Sequence, residues 1–339
     1  MIFGGIRVGA TGRSPFRSVK RAAKLLLLIL LAGVTSQVHA QQDKKPLEKV
    51  RLAVAARALT LLPYYFGKSK GLFEREGIDL EIIAMRPPIG VTALQAGEVD
   101  YGGSTGVSLR AAIKGLPLKA YMFIQTRLSF TLVGQPGMTP QRIRNVAVSG
   151  IGSLAHTAAM TVVRRLGRDG ANDKVVYIAT NTTPSSFQSL TAKAVDAAIL
   201  TPPFTSMATL AGSVDLGDTF DVRELQGGIV GRASHVQNRR EQMKAMIRAV
   251  LRSTELIVKN EAEVVAYIQK DFGLDQKVAV DSYKILLKVL NPDGDIDDAT
   301  LKSIIDKIRQ ESGLTAEIPS DRLVDLSILR EVRAEQRKR

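Results

Sequence analysis

From residue 50 onward, the chain alternates short apolar runs with segments in which apolar residues recur every three or four positions. The short runs are typical of buried strands, and the recurring pattern is typical of amphipathic helices. Loops rich in glycine, proline and hydroxyl residues separate the two. The predicted strands are residues 50–55, 78–85, 118–125, 130–134, 146–149, 175–179, 197–200 and 228–232. Strands that alternate with helices predict α/β lobes with largely parallel sheets.

The pattern changes after Asn238, where the strand signals end and the rest of the chain is predicted to be helical. Apolar residues follow the helical period at Met243, Met246, Ile247, Val250, Leu251 and Ile257, and again at Leu301, Ile304, Ile305 and Ile308. This helical run could close back over the first lobe or stand alone as a third module. The short connections of the sequence favour packing on the first lobe.

One segment of the chain occurs twice, at residues 92–105 and 188–201. The matching pairs are Leu94 and Leu190, Ala96 and Ala192, Val99 and Val195, Asp100 and Asp196, and Thr105 and Thr201. The constant offset suggests a duplicated helix–turn–strand unit, although Leu-x-Ala-x-x-Val-Asp is also a common way to pass from a helix to a strand. Because ligands bind beyond the carboxyl ends of strands in open α/β sheets, two such units predict a cleft between two lobes.

The first forty residues have the composition of an export signal. A basic region without acidic residues precedes the apolar run 25–34, and residues 38–40 place small side chains where a signal peptidase reads them. The apolar run is too short to span a bilayer, which needs about 20 residues. We therefore predict export with cleavage near Ala40; a membrane anchor and a buried helix are the alternatives.

Charge and composition narrow the possible partners. Removal of residues 1–40 takes away six of the 47 basic residues and none of the 33 acidic ones, which leaves a formal net charge of +8. This dispersed basicity weakly favours small anions or anionic surfaces and does not indicate nucleic acid. The sequence has no cysteine and no tryptophan, which excludes disulfides, thiolate metal sites, a cysteine nucleophile and an indole cage. We predict no cofactor and no metal.

The segment Gly102–Gly106 matches the G-x-S-x-G pattern of a nucleophile elbow. An enzyme built on it would use Ser104 as nucleophile, His235 as base, and Asp196 or Asp215 as the acid. The alternative is that the glycines and hydroxyls let a backbone loop approach a ligand closely. We favour the second interpretation and predict that the protein is not an enzyme.

Three further segments have candidate chemistry. The turn 150–153 joins a predicted strand to a helix, and its N–H groups with Ser149 and Ser153 suit an anion. It has neither the third glycine of a dinucleotide fingerprint nor the lysine of a P-loop. Arg127 lies in a loop and could meet an anion or be a solvated surface residue. The acidic segment 291–298 has the wrong glycine and glutamate positions for a calcium loop and is interpreted as a turn with a helix cap.

Two stretches of the chain resemble a known family. Residues 64–81, with the sequence YYFGKSKGLFEREGIDLE, and residues 94–101, LQAGEVDY, followed by the loop 103–105, are similar to nitrate/sulfonate/taurine-type substrate-binding proteins of ABC importers. The resemblance runs from about residue 50 to residue 313. This chain departs from members with anionic ligands at Thr201-Pro202-Pro203, where those members often have an acidic or aromatic residue. It also lacks the cysteines of a related branch that makes a pyrimidine precursor.

The resemblance implies a type II periplasmic binding fold, in which two α/β lobes are joined by two crossover strands and a helical C-terminal region packs on lobe 1. The implied division is a signal peptide at 1–40, lobe 1 at 46–134 and 232–330, lobe 2 at 135–231, and a basic tail at 331–339. The predicted ligand-binding residues, with Arg127 added, are Tyr64, Ser104, Thr105, Arg127, Gly152, Ser153, Asn181, Thr201 and Pro202.

The implied function is capture of a small anionic or zwitterionic molecule for an ABC permease by a monomeric periplasmic protein. Two alternatives belong to other classes. One is the secreted serine hydrolase built on Ser104, and the other is a periplasmic ligand-sensing module that takes no part in transport.

Overall fold

The structure is a computed structural model that describes Pro46–Lys338 except Ala56 and residues 169–173, together with Met1, Ile2, Gly4, Gly5 and Gly9. The chain divides into two compact units, Met1–Pro46 and Leu47–Arg339. Apart from those five residues, the predicted export signal and its cleavage site at Ala40 lie outside the described residues.

Ten strands of the described residues form two five-stranded sheets. The first sheet has the order β2-β1-β3-β10-β4, and the second has the order β7-β6-β8-β5-β9. The strands are β1 (Glu48–Val54), β2 (Ile78–Ala84), β3 (Tyr101–Ser104), β4 (Leu118–Arg127), β5 (Thr131–Gly134), β6 (Asn145–Val148), β7 (Val176–Ala179), β8 (Ala197–Leu200), β9 (Val214–Asp218) and β10 (Arg223–Arg232). We call the half of the molecule built on the first sheet lobe 1 and the half built on the second sheet lobe 2.

The two sheets have the same topology. In each, the first three strands are parallel, with β1 between β2 and β3 in lobe 1 and β6 between β7 and β8 in lobe 2. The fourth strand of each sheet is antiparallel and arrives from the other lobe: β10 pairs with β3, and β5 pairs with β8. The chain therefore crosses between the lobes at residues 128–130 and 219–222, and β5 and β10 are the expected crossover strands.

Helices follow the strands and cover both sheets. They are α1 (Leu62–Ser69), α2 (Leu72–Arg75), α3 (Pro87–Ala96), α4 (Thr105–Ile113), α5 (Leu154–Arg165), α6 (Thr183–Thr191), α7 (Phe204–Leu210), α8 (Ala233–Asn238), α9 (Arg240–Lys259), α10 (Glu261–Phe272), α11 (Gln276–Val289), α12 (Asp298–Glu311), α13 (Ser320–Leu323) and α14 (Ser327–Arg337). None of the helices in the described residues is long and apolar enough to span a membrane.

Local sequence signals explain several helix starts. The side chains of Ser153 and Thr182 cap α5 and α6 by accepting hydrogen bonds from His156 N and Ser185 N. Proline occupies the first turn of α1, α3 and α6, where the missing N–H leaves no hydrogen bond unmade. The first turns of these helices are therefore fixed by short-range chemistry.

The helical C-terminal region packs on lobe 1, as expected. The apolar faces predicted for α9 and α12 are buried, and most of their residues join the core cluster of the first sheet. Ile328, Leu329 and Val332 of α14 belong to the same core. The α/β fold class with two lobes, two crossover strands and a helical wrap on lobe 1 is thus confirmed.

The sheets also show where each crossover strand belongs. Strand β5 lies inside the segment 46–134 predicted for lobe 1 but pairs in the lobe 2 sheet. Strand β10, except for Arg232, lies inside the segment 135–231 predicted for lobe 2 but pairs in the lobe 1 sheet. The basic segment 331–339 overlaps α14. Each crossover strand follows a strand of one lobe in sequence and pairs in the sheet of the other lobe. The boundary between the lobes therefore lies before the crossover strand and not after it.

Candidate functional site

A cleft of about 300 Å³ lies between the two lobes. Lobe 1 contributes residues of the β1 exit loop, the start of α3 and the β3–α4 junction, and lobe 2 contributes the ends of its strands and the starts of α5 and α6. The crossover segments form the remaining wall. The lining residues are Ala55, Ala58, Thr60, Leu61, Pro87, Gly103, Ser104, Gly106, Val107, Gln125, Ser129, Phe130, Ser149, Leu154, Thr183, Thr201, Leu225 and Gln226.

The repeated helix–turn–strand unit places one residue of each copy in this cleft, Ser104 from lobe 1 and Thr201 from lobe 2. Strand β3 pairs with β1 from Leu52–Tyr101 onward, and β8 pairs with β6 from Val146–Ala197 onward. Both strands are parallel to their partners, so their carboxyl ends open on the cleft. The sequence therefore locates the two sides of the cleft through its internal repeat.

The aspartate of each copy anchors the start of its strand. Asp100 Oδ2 accepts a hydrogen bond from Arg51 N at 2.7 Å, and Asp196 Oδ2 accepts from Arg144 N at 2.8 Å and Asn145 N at 3.2 Å. In both lobes the donors lie on or directly before the neighbouring parallel strand, which is β1 in lobe 1 and β6 in lobe 2. The Val-Asp pair of the repeat thus ties the turn to the neighbouring strand rather than to the cleft.

Several helices begin at the cleft wall. Pro87 starts α3, Ser104 precedes the first residue of α4, Leu154 starts α5 and Thr183 starts α6, and all four residues line the cleft. A helix amino terminus presents unpaired N–H groups and about half a unit of positive charge. Since the lining includes no Asp, Glu, Lys or Arg among the described residues, these backbone dipoles are a main source of positive potential in the cleft.

The Gly150–Ser153 turn is shaped by its own hydrogen bonds. Ser153 Oγ donates to Gly150 O at 2.7 Å and accepts from His156 N at 3.3 Å, while Gly152 N donates to His156 Nδ1 at 3.0 Å. Gly152 has a φ of 76°, a conformation that glycine adopts without strain. Ser149 and Leu154 on either side of this turn line the cleft, but Gly152 and Ser153 do not. Their role as ligand residues stays a prediction.

Two predicted site residues support the crossover strands. The hydroxyl of Tyr64 donates to Gly228 O of β10 at 2.6 Å. The side chain is fully buried, and this burial raises the pKa of its phenol. Arg127 ends β4 and donates from Nη1 to Phe220 O at 3.3 Å, next to the second crossing. Neither residue lines the cleft, and a role in ligand binding stays a prediction for both.

The other predicted residues lie around the cleft. Thr105 is fully buried at the start of α4, and its Oγ1 has no hydrogen-bond partner among the described residues. Asn181 is exposed in the loop before α6 and has a φ of 71°. Pro202 follows Thr201 and joins Pro203 through a cis peptide bond. Of the nine predicted ligand residues, Ser104 and Thr201 line the cleft.

Sequence reasoning missed the polar residues in and next to the two crossings. Gln125 of β4 and Gln226 of β10 both line the cleft, and Ser129 Oγ donates to Gln226 Oε1 at 3.2 Å. Each glutamine lies within or beside an apolar stretch, so its pattern is that of a core strand. The position of both strands next to the crossings is the signal that could have found them.

The base and acid candidates of the hydrolase hypothesis make their contacts away from the cleft. His235 Nε2 lies 3.4 Å from Gln242 Oε1 and 3.8 Å from Asp100 Oδ1. Asp196 accepts from backbone N–H groups of lobe 2, and Asp215 Oδ1 accepts from Gly217 N. Within the described ranges, no group of His, Asp and Glu side chains is placed to hold a metal ion. The cleft lining offers hydroxyl, amide and backbone N–H groups.

Residues 59–264, more than half of the chain, match the model of the family described as NMT1/THI5 like. The chain belongs to this family. The resemblance to nitrate/sulfonate/taurine-type substrate-binding proteins is thereby confirmed, and the matched segment includes both copies of the repeated unit and all the residues that line the cleft beyond Ala58. The comparison with curated proteins finds no match.

Solved structures share the fold of this NMT1/THI5-like chain at low sequence identity. A protein from Bordetella bronchiseptica RB50 has a TM-score of 0.67 and 19% identity, covering 88% of this chain and 100% of its own. The putative periplasmic sulfonate-binding protein SsuA from Methylobacillus flagellatus KT has a TM-score of 0.66 and 16% identity, covering 86% and 96%. The periplasmic nitrate-binding protein NrtA from Synechocystis PCC 6803 has a TM-score of 0.62 and 13% identity, covering 85% and 89%.

Proposed function

We propose that the chain is an exported, periplasmic solute-binding protein that captures a small anionic or zwitterionic molecule between its lobes and delivers it to an ABC import permease. The observation that carries the proposal is the presence of Ser104 and Thr201 in one cleft, one from each lobe. Membership of the family and the fold shared with sulfonate-binding and nitrate-binding proteins support the same function.

The chemistry of the cleft supports an anion held without a cationic side chain. The starts of α4, α5 and α6 supply N–H groups and positive dipole ends, and α3, which begins with two prolines, adds a dipole end. Ser104, Ser149, Thr183 and Thr201 add hydroxyl donors. Leu61, Phe130 and Leu225 supply apolar surface that excludes water, which strengthens these electrostatic interactions. An oxyanion or the acidic end of a zwitterion fits this arrangement.

The proposed mechanism is hinge closure of a monomer. The two sheets are taken as the lobes, and the crossings at residues 128–130 and 219–222 are taken as the hinge. A solute that contacts Ser104 on one side and Thr201 on the other gains its full set of contacts only when the lobes close, so it shifts the population toward the closed form. The closed form would then be recognised by the permease.

A thermal-shift screen tests the proposal. Wild-type protein is heated with nitrate, aliphatic sulfonates, taurine, aromatic carboxylates and pyrimidines, and we expect at least one anionic or zwitterionic compound to raise the unfolding temperature. Thr201→Asp places a negative charge in the cleft and is expected to weaken binding of that compound at least tenfold. Thr315→Asp makes the same change in an exposed loop and should bind as the wild type does.

Two outcomes would contradict this function. One is a screen in which only uncharged or cationic compounds stabilise the protein, and the other is equal binding by the wild type and Thr201→Asp. A stoichiometric adduct of a serine-directed phosphonate on Ser104, detected by mass spectrometry, would instead support the hydrolase.

A further inference from the structure

Gln125 is a polar residue in an otherwise apolar stretch of β4. It is 1% exposed, between the fully buried Ile124 and the buried Thr126, and it lines the cleft. Its Nε2 has no hydrogen-bond partner in the part of the chain that the structure describes. A buried amide without a partner lowers stability, because the hydrogen bonds it makes with water in the unfolded chain are not replaced.

Two other glutamines with low exposure show the contrast. Gln135 donates from Nε2 to Leu190 O at 2.5 Å and Val195 O at 2.9 Å, and Gln242 Oε1 accepts from the Tyr101 hydroxyl at 2.6 Å. Their carboxamides hold parts of the fold together. Gln125 has no such structural bond through Nε2, although it is the most deeply buried of the three.

A second unpaired polar group lies beside β10, the strand that pairs with β4. Gln125 pairs with Gly227 of β10, and the methyl group of Thr105 packs against Gly228 of β10. Thr105 Oγ1 is buried and, like Gln125 Nε2, has no partner within the described residues. Two unsatisfied polar groups thus lie beside adjacent glycines of β10, and Gln125 is the one of the two that lines the cleft.

We propose that Gln125 is a specificity-determining residue of the cleft: its carboxamide donates a hydrogen bond to an oxygen acceptor on the bound solute, and glutamine is kept there at a cost to the stability of the empty protein. The inference rests on the proposed function. Rotation about the last side-chain bond of glutamine is easy, so a half-turn of the carboxamide exchanges the positions of Nε2 and Oε1. The helix amino termini around the cleft favour a solute group that accepts a hydrogen bond over one that donates it.

The first test measures the stability of solute-free protein, obtained by unfolding and refolding to remove any bound molecule. Gln125→Met keeps the shape of the side chain and removes the unpaired amide, so its unfolding temperature should equal or exceed that of the wild type. Gln135→Met is the matched control. It breaks two made hydrogen bonds and should lower the unfolding temperature.

The second test measures binding of sodium nitrate, sodium methanesulfonate and taurine by titration calorimetry. Gln125→Met should bind the probe that stabilises the wild type at least tenfold more weakly. Gln125→Glu should lose binding at neutral pH and recover it as the pH falls, because a protonated carboxyl group donates a hydrogen bond and a carboxylate repels an anion. Gln276→Glu, an exposed change of the same charge, should bind as the wild type at every pH.

The inference is overturned if solute-free Gln125→Met is destabilised as much as Gln135→Met, which would make Gln125 a structural residue. It is equally overturned if Gln125→Met binds the probe with unchanged affinity. Failure of the proposed function gives a different result: the three probes and the wider screen leave the wild type unchanged, while the stability comparison of the two methionine variants still decides the role of Gln125.

Discussion

The two copies of the helix–turn–strand unit make the same turn with different residues. In lobe 1, Gly97 N and Glu98 N donate to Leu94 O and Ala93 O; in lobe 2, Lys193 N and Ala194 N donate to Leu190 O and Ser189 O. The donors and acceptors of these two hydrogen bonds occupy corresponding positions of the repeat. The left-handed residue is Gly97 (φ 83°) in one copy and Lys193 (φ 57°) in the other. The hydrogen bonds therefore fix the turn, and lobe 2 has a lysine at the left-handed position where glycine is usual.

The lobes differ more in what surrounds the repeat than in the repeat itself. Helices α9, α12 and α14 pack into the core of lobe 1. Lobe 2 has smaller core clusters, and its edge strand β7 leaves Val176 and Ile178 exposed. The same unit thus occurs in a lobe with a large core and in a lobe with smaller cores and an exposed edge strand. The repeat supplies both sides of the cleft, and we expect the C-terminal helices to make lobe 1 the more stable of the two.

The largest expected effect tests the difference between the crossover strands. A methyl group at Gly228 of β10 would overlap the carbonyl oxygen of Met122 in β4, whereas one at Gly134 of β5 would lie 2.7 Å from Met138 Cβ and 2.8 Å from Leu216 Cδ1. Side chains yield more easily than a paired strand. Gly228→Ala should therefore destabilise the protein by about 3 kcal/mol or more and Gly134→Ala by about 1–2 kcal/mol, measured by urea unfolding. Equal losses would show that both crossings are equally tight.

A smaller effect compares the aspartates of the repeat. Asp196 accepts two backbone hydrogen bonds and Asp100 accepts one. Asp196→Ala should lower the free energy of unfolding by about 2 kcal/mol and Asp100→Ala by about 1 kcal/mol, since each leaves backbone donors without their charged acceptor. The measurement is the midpoint of chemical denaturation. A larger loss for Asp100→Ala would mean that its 3.8 Å approach to His235 contributes more than the second N–H at Asp196.

The repeat and the helical wrap could be predicted because each rests on short-range patterns. Val99 and Val195 are buried, the aspartates follow them, and the apolar stripes of α9 and α12 keep the helical period. These features need no knowledge of the other lobe. The position of Ser104 and Thr201 at one cleft followed from the duplication together with the rule that ligands bind at strand ends.

The rest of the site depends on contacts between distant parts of the chain. Gln125 lies in an apolar strand, and the sequence does not show that its Nε2 is left without a hydrogen-bond partner. That becomes apparent only when β10 is placed beside β4. Tyr64 belongs to an amphipathic helix, and the sequence does not tell that its hydroxyl reaches Gly228 rather than the cleft. Both cases require contacts between distant parts of the chain, since Gln125 pairs with Gly227 and Tyr64 and Gly228 are 164 residues apart.

The smallest expected effect concerns the turn itself. An L-residue in the left-handed conformation is strained by contact between its Cβ and the following carbonyl group, which costs about 1–2 kcal/mol, while glycine loses more chain entropy on folding. Lys193→Gly should therefore stabilise the protein by a net ~0.5–1 kcal/mol. Lys193→Ala removes the same charge but keeps Cβ, so it should give no gain.

In lobe 1 the reverse change, Gly97→Ala, should destabilise by about 1 kcal/mol or more, because the new Cβ would also contact the guanidinium of Arg232. Urea unfolding of the three variants separates strain from charge: if Lys193→Ala is stabilised as much as Lys193→Gly, the lysine charge and not the backbone distinguishes the two copies.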